Sequence, residues 1–190
     1  IQLHPTVFQG NGFLVSERLR SNGAILVNKN GQRFVNDLST RDVVSQAELK
    51  QPDACAYIVY DSRYAEEKLY KKYVTNGLTV EGATLEELAA NLGFDETATK
   101  NFLETVAKWN DVVNNGTEDE FGRNNGFVAC DVAPFFAIQI APGIHHTMGG
   151  LKINTATEVL TADGTPIPGL FAAGEVTGGV HGGNRIGGNA

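Results

Sequence analysis

Two kinds of side chain in this 190-residue chain could move protons or hold an anion. The first kind is histidine, whose ring changes charge near neutral pH; the chain has four, His4, His145, His146 and His181. The second kind is charged. Glu17 and Arg20 are three residues apart and share a face if that segment is helical. Taken alone, the pair is more typical of a solvent-exposed ion pair, and a single histidine such as His181 has a structural role as often as a chemical one.

The segment Ser39-Thr40-Arg41-Asp42 predicts the start of a helix. Ser39 fits the N-cap position, and Asp42 follows three residues later, as in a capping box. Arg41 then lies in the first turn, where the helix dipole disfavours a cation. A residue in a locally costly position is a candidate for function, although an arginine there can also extend its side chain to solvent.

Residues 174–190 contain seven glycines, with one acid (Glu175), one histidine (His181) and one arginine (Arg185) among them. Glycine costs backbone entropy, so this density indicates close approach of the chain to a ligand, often an anion met by backbone N–H groups. A flexible tail would have a similar composition. However, the preceding residues 167–173 predict a turn and a short buried strand, which favours an ordered loop.

The elements that must position these residues predict an α+β fold. A strand ending at Pro5, a helix over Gly12–Asn22 and a hairpin over Ala24–Val35 come first. Phe102, Val106, Trp109 and Val113 recur at helical spacing, which predicts a long helix with one apolar face. The other predicted elements are a strand over Ala56–Tyr60, a charged helix over Ser62–Tyr73, two helices capped by Thr84 and Asp95, and a strand over Phe135–Ile140.

Composition limits the class of protein. The net charge of −7 gives no support for a nucleic-acid partner, and no apolar run is long enough to span a bilayer. Cys55 and Cys130 lack metal-ligand spacing and are more typical of two free thiols than of a disulfide. Residues 1–142 hold ten glycines and residues 143–190 hold twelve, which indicates two structural pieces that divide near Pro142.

Four stretches together resemble the flavoproteins of the fumarate reductase/succinate dehydrogenase family, most of all the flavocytochrome-type fumarate reductases. They are His4-Pro5-Thr6, residues 36–42, residues 145–150 and residues 167–190. The resemblance implies an α+β clamp (capping) domain over 24–141, a flank over 1–23, and part of the FAD-binding domain over 142–190. It also implies a fragment without the N-terminal FAD-binding half, which we expect to bind FAD weakly or not at all and to be inactive alone.

The activity implied by this resemblance is the reduction of fumarate to succinate, in which reduced FAD gives a hydride to one alkene carbon and a protein acid protonates the other. Arg41 resembles the proton donor, and Glu17 and Arg20 resemble the relay that reprotonates it. Guanidinium groups resist deprotonation, which makes this role unusual. The position at a helix start and the transfer to a developing carbanion both favour it.

The resemblance also assigns the binding residues. Arg185 and His145 resemble the pair that binds one substrate carboxylate, and His4 and Ser16 resemble the pair that binds the other. Many family members have threonine where this chain has Ser16, and the hydroxyl is kept. Gly188 contributes backbone to the substrate site. The predicted cofactor contacts are His146, Glu175, Gly174, Gly187 and Asn189.

Two alternative functions stay open at this point. One is the reduction of another 2-enoate, such as urocanate or acrylate; His4 favours the dicarboxylate because it supplies a donor for a second carboxylate. The other is a non-catalytic anion-binding module, which would need no relay such as Glu17, Arg20 and Arg41. The implied partners are a small dicarboxylate, the N-terminal half and a separate electron donor, in a bacterial-type cytoplasm or periplasm, with no nucleic acid and no membrane segment in this chain.

Overall fold

A five-stranded antiparallel sheet is the framework of the part of the chain that the computed structural model describes, residues 1–65 and 68–189. The longest strand, β5, pairs with β3 along one edge and with β4 and β1 along the other. A two-stranded ribbon of β6 and β7 follows. The strands are β1 (Gln2–Phe8), β2 (Ile25–Val27), β3 (Ala56–Asp61), β4 (Thr79–Gly82), β5 (Phe135–His146), β6 (Glu158–Leu160) and β7 (Pro166–Phe171).

Helices cover both faces of this sheet. Successive residues of β3 point to opposite faces, so Ile58 joins a cluster with Leu19 of α1 and Val44 of α2, while Val59 joins a cluster with Phe102 of α6. β3 is buried on both faces and is therefore the centre of the core. The helices are α1 (Arg18–Ser21), α2 (Arg41–Glu48), α3 (Ser62–Ala65), α4 (Lys68–Thr75), α5 (Leu85–Asn91) and α6 (Glu96–Asn115).

Helices with a strong local signal form as the sequence predicts. The Asp95 carboxylate accepts from the Ala98 backbone N–H at the start of α6. Trp109 packs on the buried face of α6, and its Nε1–H donates to the carbonyl oxygen of Val128 over 2.9 Å. The Thr84 hydroxyl caps α5 in the same way. The mixed α/β class is therefore confirmed.

The pairing of β1 with β5 carries two irregularities, and they lie at the histidines. Gln2 pairs with His146 but Leu3 pairs with Ile144, so β5 holds one extra residue, His145. His4 then pairs with Gly143 and Val7 with Ala141, so β1 holds one extra residue in turn. Such bulges redirect side chains and tolerate proline, which has no N–H for the ladder. The prediction that Pro5 ends the strand is therefore wrong: β1 passes through Pro5 inside a bulge.

The helix predicted over Gly12–Asn22 is also wrong in extent, because only Arg18–Ser21 are helical. The residues before it lie along β1 instead. The backbone N–H of Val15 donates to the Thr6 carbonyl oxygen, and the Thr6 hydroxyl donates to the Val15 carbonyl oxygen. Partners from another strand thus satisfy backbone groups that a helix would have satisfied internally.

Three other local predictions need correction. The hairpin over Ala24–Val35 does not form, because β2 pairs with β3. Thr40, not Ser39, is the residue before α2, and its side chain makes no capping bond. The predicted helix over Ser62–Tyr73 corresponds to α3 and α4, with residues 66 and 67 outside the described part of the chain, as is Ala190 of the glycine-rich motif.

The C-terminal segment is less buried than its sequence predicts. The strand β7 is largely exposed, and 59% of Phe171 is accessible to solvent. The predicted boundary after residue 141 falls inside β5, and the division into 1–23, 24–141 and 142–190 stays a prediction. Among the described residues, no helix has both the length and the apolar character needed to cross a bilayer.

Candidate active site

A cleft of about 420 Å³ brings together residues that are up to 184 positions apart in sequence. Three larger clefts, of about 490 to 500 Å³, contain none of the predicted site residues. The cleft is formed by β1, the start of α1, the start of α2, the end of β5 and the glycine-rich segment. The predicted residues that line it are His4, Ser16, Glu17, Arg41, His145, Gly187 and Gly188.

Glu17 and Arg41 form a two-point ion pair on one wall of the cleft. Arg41 Nε donates to Glu17 Oε1 over 2.7 Å, and Arg41 Nη2 donates to Oε2 over 2.8 Å. A planar guanidinium matches a carboxylate in this arrangement, which is stronger than a single contact. The hydrogen bonds from Arg41 lower the pKa of the Glu17 carboxyl. Arg41 is the first residue of α2, as predicted, and its side chain is buried.

Arg20 lies behind this pair. Its Nη2 is 3.6 Å from Glu17 Oε1, and its Nη1 donates to the backbone carbonyl oxygen of Asp37. The side chain is buried, and burial lowers the pKa of the Arg20 guanidinium. Arg41, Glu17 and Arg20 therefore lie in series, with alternating charge, from the cleft into the interior.

A buried ion network holds the Asp37 backbone that receives Arg20. One Asp37 carboxylate oxygen accepts from the Leu26 backbone N–H over 2.7 Å. The other accepts from Arg33 over 2.6 Å and from Arg123 over 3.1 Å. Asp119 pairs with Arg33 from the other side. The sequence analysis did not predict this ion network. Its only indication in the local sequence is the i, i+4 spacing of Arg33 and Asp37.

The two bulges bring the rings of His4 and His145 together, with centroids 5.0 Å apart. His4 Nδ1 accepts from the Thr6 backbone N–H over 3.2 Å, so the proton of the neutral ring is on Nε2. That nitrogen lies 4.0 Å from Glu17 Oε1. Burial, assisted by the nearby Arg41 and His145 and opposed by the Glu17 carboxylate, lowers the pKa of His4 to about 3.

Burial also lowers the pKa of His145, with contributions from the Arg41 and Arg185 charges. Both rings are therefore neutral at pH 7. A neutral imidazole offers one N–H donor to a ligand, and here the permanent positive charge comes from arginine.

Gln2 connects Arg41 to the glycine-rich segment, and the sequence analysis missed it. Its Oε1 accepts from Arg41 Nη1 over 3.0 Å, and its Nε2 donates to the Arg185 carbonyl oxygen over 2.8 Å. Nε2 also donates to Asn184 Oδ1 over 3.1 Å. The available signal was strand spacing, because Gln2 is two residues from His4 in β1.

The remaining substrate-site predictions fall at or beside the cleft. The Ser16 backbone N–H donates to the hydroxyl of Tyr73 over 2.9 Å, and the Ser16 hydroxyl accepts from the Arg18 N–H over 3.3 Å. Arg185 does not line the cleft; it is buried beneath the segment, and its Nε has no partner among the described residues. Gly188 has φ of +83°, which favours glycine.

Of the predicted cofactor contacts, Gly187 lines the cleft, and His146, Glu175, Gly174 and Asn189 do not. His146 Nδ1 accepts from the Met148 N–H over 2.9 Å, while its buried Nε2 has no partner in the described part of the chain. Glu175 Oε1 accepts from the Thr147 N–H over 3.1 Å. Gly174 has φ of +78°. The Asn189 N–H reaches the Ile186 carbonyl oxygen over 3.4 Å.

The fold is that of a flavoprotein. Over the whole chain it matches the open conformation of a flavocytochrome c3 fumarate reductase, with a TM-score of 0.83 and 45% sequence identity, and it covers 33% of that structure's chain. The chain belongs to the FAD binding domain family, whose model matches residues 1–190. The family resemblance inferred from the sequence is confirmed.

Several curated relatives match the entire chain, among them two named for the reduction of fumarate. The NADH:fumarate oxidoreductase of Klebsiella pneumoniae is 49% identical over 192 residues, which are 20% of its length. The fumarate reductase (cytochrome) of Shewanella frigidimarina is 45% identical over 192 residues, which are 33% of its length. The chain thus spans 20% to 33% of the length of these relatives.

Proposed function

We propose that this chain is part of an FAD-dependent oxidoreductase that reduces fumarate to succinate. The observation that carries the proposal is the series Arg41, Glu17 and Arg20, which leads from a cleft into a buried region. A simple anion-binding module needs cations at its surface but no carboxylate held between two of them, as Glu17 is here. The names of the two relatives support the same reaction.

The dicarboxylate is held at its two ends. Arg185 and His145 bind one carboxylate, and His4 and Ser16 bind the other, with backbone from Gly188. The lowered pKa values of both histidines support their use as neutral donors. Donors at both ends favour a dicarboxylate over a monocarboxylic 2-enoate such as acrylate, because a second carboxylate satisfies groups that acrylate leaves unpaired.

The residues near the cleft fit a bound FAD. The buried Nε2 of His146 lacks a partner in the described structure and is free to meet an acceptor atom of the cofactor. His146, Glu175, Gly174, Gly187 and Asn189 would hold the cofactor. When bound and reduced, FAD supplies the hydride that one alkene carbon receives.

Arg41 supplies the proton that the other carbon receives. Among the described residues, Glu17 and Gln2 engage three of its five guanidinium N–H groups, which leaves two for a ligand. When one N–H bond of Arg41 breaks toward the substrate carbon, the Glu17 carboxylate takes a proton from Arg20 and passes it to Arg41 across contacts of 2.7 and 2.8 Å. Arg20 is then the residue that lacks a proton.

We further propose that residues 24–141 are the clamp (capping) domain and that the flanking residues belong to the FAD-binding domain. The helix-covered sheet around β3 supports this assignment. The proposal also includes an electron donor other than this chain and a bacterial-type cytoplasmic or periplasmic location.

The test is fumarate reduction by the full-length protein with a reduced dye as electron source. Arg41→Lys keeps the charge but not the two-point pair. General acid catalysis contributes about 10²–10⁴-fold, so we expect a loss of at least that size while FAD stays bound. Arg63→Lys is the matched control, because Arg63 pairs with Asp61 outside the cleft. Activity of Arg41→Lys within a few-fold of the control would exclude Arg41 as the donor.

A further inference from the structure

A second acidic residue lies buried near the series, and the proposed reaction does not yet use it. Glu48, the last residue of α2, is 0% exposed, and neither carboxyl oxygen has a hydrogen-bond partner among the described residues. The Ser45 hydroxyl and the Arg20 Nε are likewise buried and unpartnered there. Such groups are costly, since an apolar side chain would occupy the same space without a desolvation penalty.

The helix α2 relates this carboxyl to Arg41. Arg41, Ser45 and Glu48 are spaced by four and three residues, so they lie on one face of the helix, and all three are buried. At 1.5 Å per residue, Arg41 and Glu48 are about 10 Å apart along the axis. Arg20, on α1, is near enough for its charge to act on Glu48, and its Nη2 lies 3.6 Å from Glu17 Oε1.

Among the described residues, the charged and titratable groups that interact with Glu48 are Arg20 and Cys55. Arg20 is the charge that favours the ionised form of Glu48, and the Cys55 thiol also feels the Glu48 charge. Burial outweighs Arg20 and raises the pKa of Glu48 to about 8. The carboxyl therefore holds a proton at neutral pH and can release it within the physiological range.

We propose that Glu48 acts through Arg20 as the store of the proton that recharges Arg20, Glu17 and Arg41 after each turnover. This inference rests on the proposed fumarate reduction. After Arg41 has protonated the substrate, the Glu17 carboxylate takes a proton from Arg20 and passes it to Arg41. The O–H bond of Glu48 then breaks and an N–H bond forms at Arg20. One proton moves at each step, no electrons are exchanged, and Glu48 ends as a carboxylate beside a cationic Arg20.

Glu48 thus acts through Arg20, as a positioning residue, and does not touch the substrate. Before turnover, the net charge of the four residues Arg41, Glu17, Arg20 and Glu48 is +1. After turnover Glu48 is ionised, and their net charge is 0. Without the Glu48 proton, Arg20 would stay deprotonated until a proton arrived from solvent.

The test compares full-length wild type with Glu48→Gln, which keeps the shape but cannot release a proton. We expect kcat for fumarate to fall at least tenfold at pH 7, with KM within twofold. Wild-type kcat should decline above about pH 8, and this decline should be absent in Glu48→Gln. The solvent deuterium isotope effect on kcat should be larger in the variant, because proton delivery becomes limiting.

Two more variants keep the result interpretable. Glu86→Gln, at an exposed position of α5, should match wild type in every readout. Glu48→Asp retains a titrating carboxyl and should retain an alkaline decline, at a shifted pH, even if Glu48→Gln folds poorly. Difference infrared spectra of wild type against Glu48→Gln should show a protonated carboxyl at pH 7 that disappears near pH 8.

The outcomes separate the two proposals. A wild-type protein that does not reduce fumarate would overturn the proposed function, and the proton store with it. An active wild type with unchanged kcat and alkaline decline in Glu48→Gln would overturn the proton store alone. An ionised Glu48 at pH 7 in the infrared spectra would also overturn it.

Discussion

Gly187 lies directly against Arg41. A Cβ at Gly187 would be 2.9 Å from Arg41 Nη2 and 2.8 Å from Glu17 Oε2, which is closer than packed atoms allow. The backbone of the glycine-rich segment therefore lies against the two-point ion pair, and a side chain at position 187 would push Arg41 and Glu17 from their present positions.

The first prediction follows from this contact. Gly187→Ala should separate Arg41 from Glu17 and lower kcat for fumarate at least tenfold, because proton transfer depends on sub-ångström alignment. Gly183→Ala is the matched control, since nothing lies within 4 Å of a Cβ at Gly183 and its φ is not in the left-handed region. Steady-state kinetics on both variants decide the matter. Equal kcat values would mean that the pair can shift without loss.

The second prediction concerns how the two ends of the substrate are distinguished. Arg185→Ala should lower kcat/KM for fumarate and acrylate alike, because every 2-enoate has one carboxylate for this site. His4→Ala should lower kcat/KM for fumarate much more than for acrylate, which lacks a second carboxylate. The measurement is the fumarate-to-acrylate ratio of kcat/KM. The same ratio in wild type and His4→Ala would contradict binding at two ends.

The third prediction concerns stability rather than chemistry. Asp37→Ala leaves Arg123 without an acidic partner and leaves Arg33 with Asp119 alone, and removing one member of a buried ion pair costs about 3–5 kcal/mol. Lys29→Ala, which breaks an exposed pair with Asp53, should cost less than about 1 kcal/mol. Denaturant unfolding of the full-length protein measures both. A small loss for Asp37→Ala would show that its two arginines find other acceptors.

The fourth prediction is a pH dependence of stability. The pKa of Glu48 rises from 4.5 to about 8 on folding, so the folded state binds the extra proton between these pH values. The contribution of this raised pKa to the free energy of unfolding is therefore fully present below pH 4.5 and is lost as the pH rises toward 8. At about 1.4 kcal/mol per pKa unit, the change amounts to a few kcal/mol. The free energy of unfolding of wild type, minus that of Glu48→Gln, should fall over this range; a constant difference would indicate an unshifted carboxyl.

Local patterns were enough to predict part of this structure. The apolar spacing of α6 and the cap at Asp95 act within a few residues, and both are found as predicted. The cleft residues could be named because they occur in motifs whose order matches a known family. Arg41 was also identified as a candidate because the helix dipole disfavours a cation in the first turn of a helix.

The remaining features depend on partners far away in sequence. Asp37 accepts from an arginine 86 positions away, and Gln2 donates to a carbonyl oxygen 183 positions away. No window of local sequence carries such information. The segment Gly12–Glu17 has acceptable helix formers, but β1 offers its backbone better partners.

The two bulges between β1 and β5 cancel. The sum of paired residue numbers is 148 at Gln2 and His146, falls to 147 at His4 and Gly143, and returns to 148 at Val7 and Ala141. The strands thus leave the histidine region in the same alignment in which they enter it. Losing one residue from either bulge would move every later pair by one position and turn β5 side chains from one face of the core to the other. Changes in chain length around His4 and His145 can therefore be accommodated only in pairs, one on each strand.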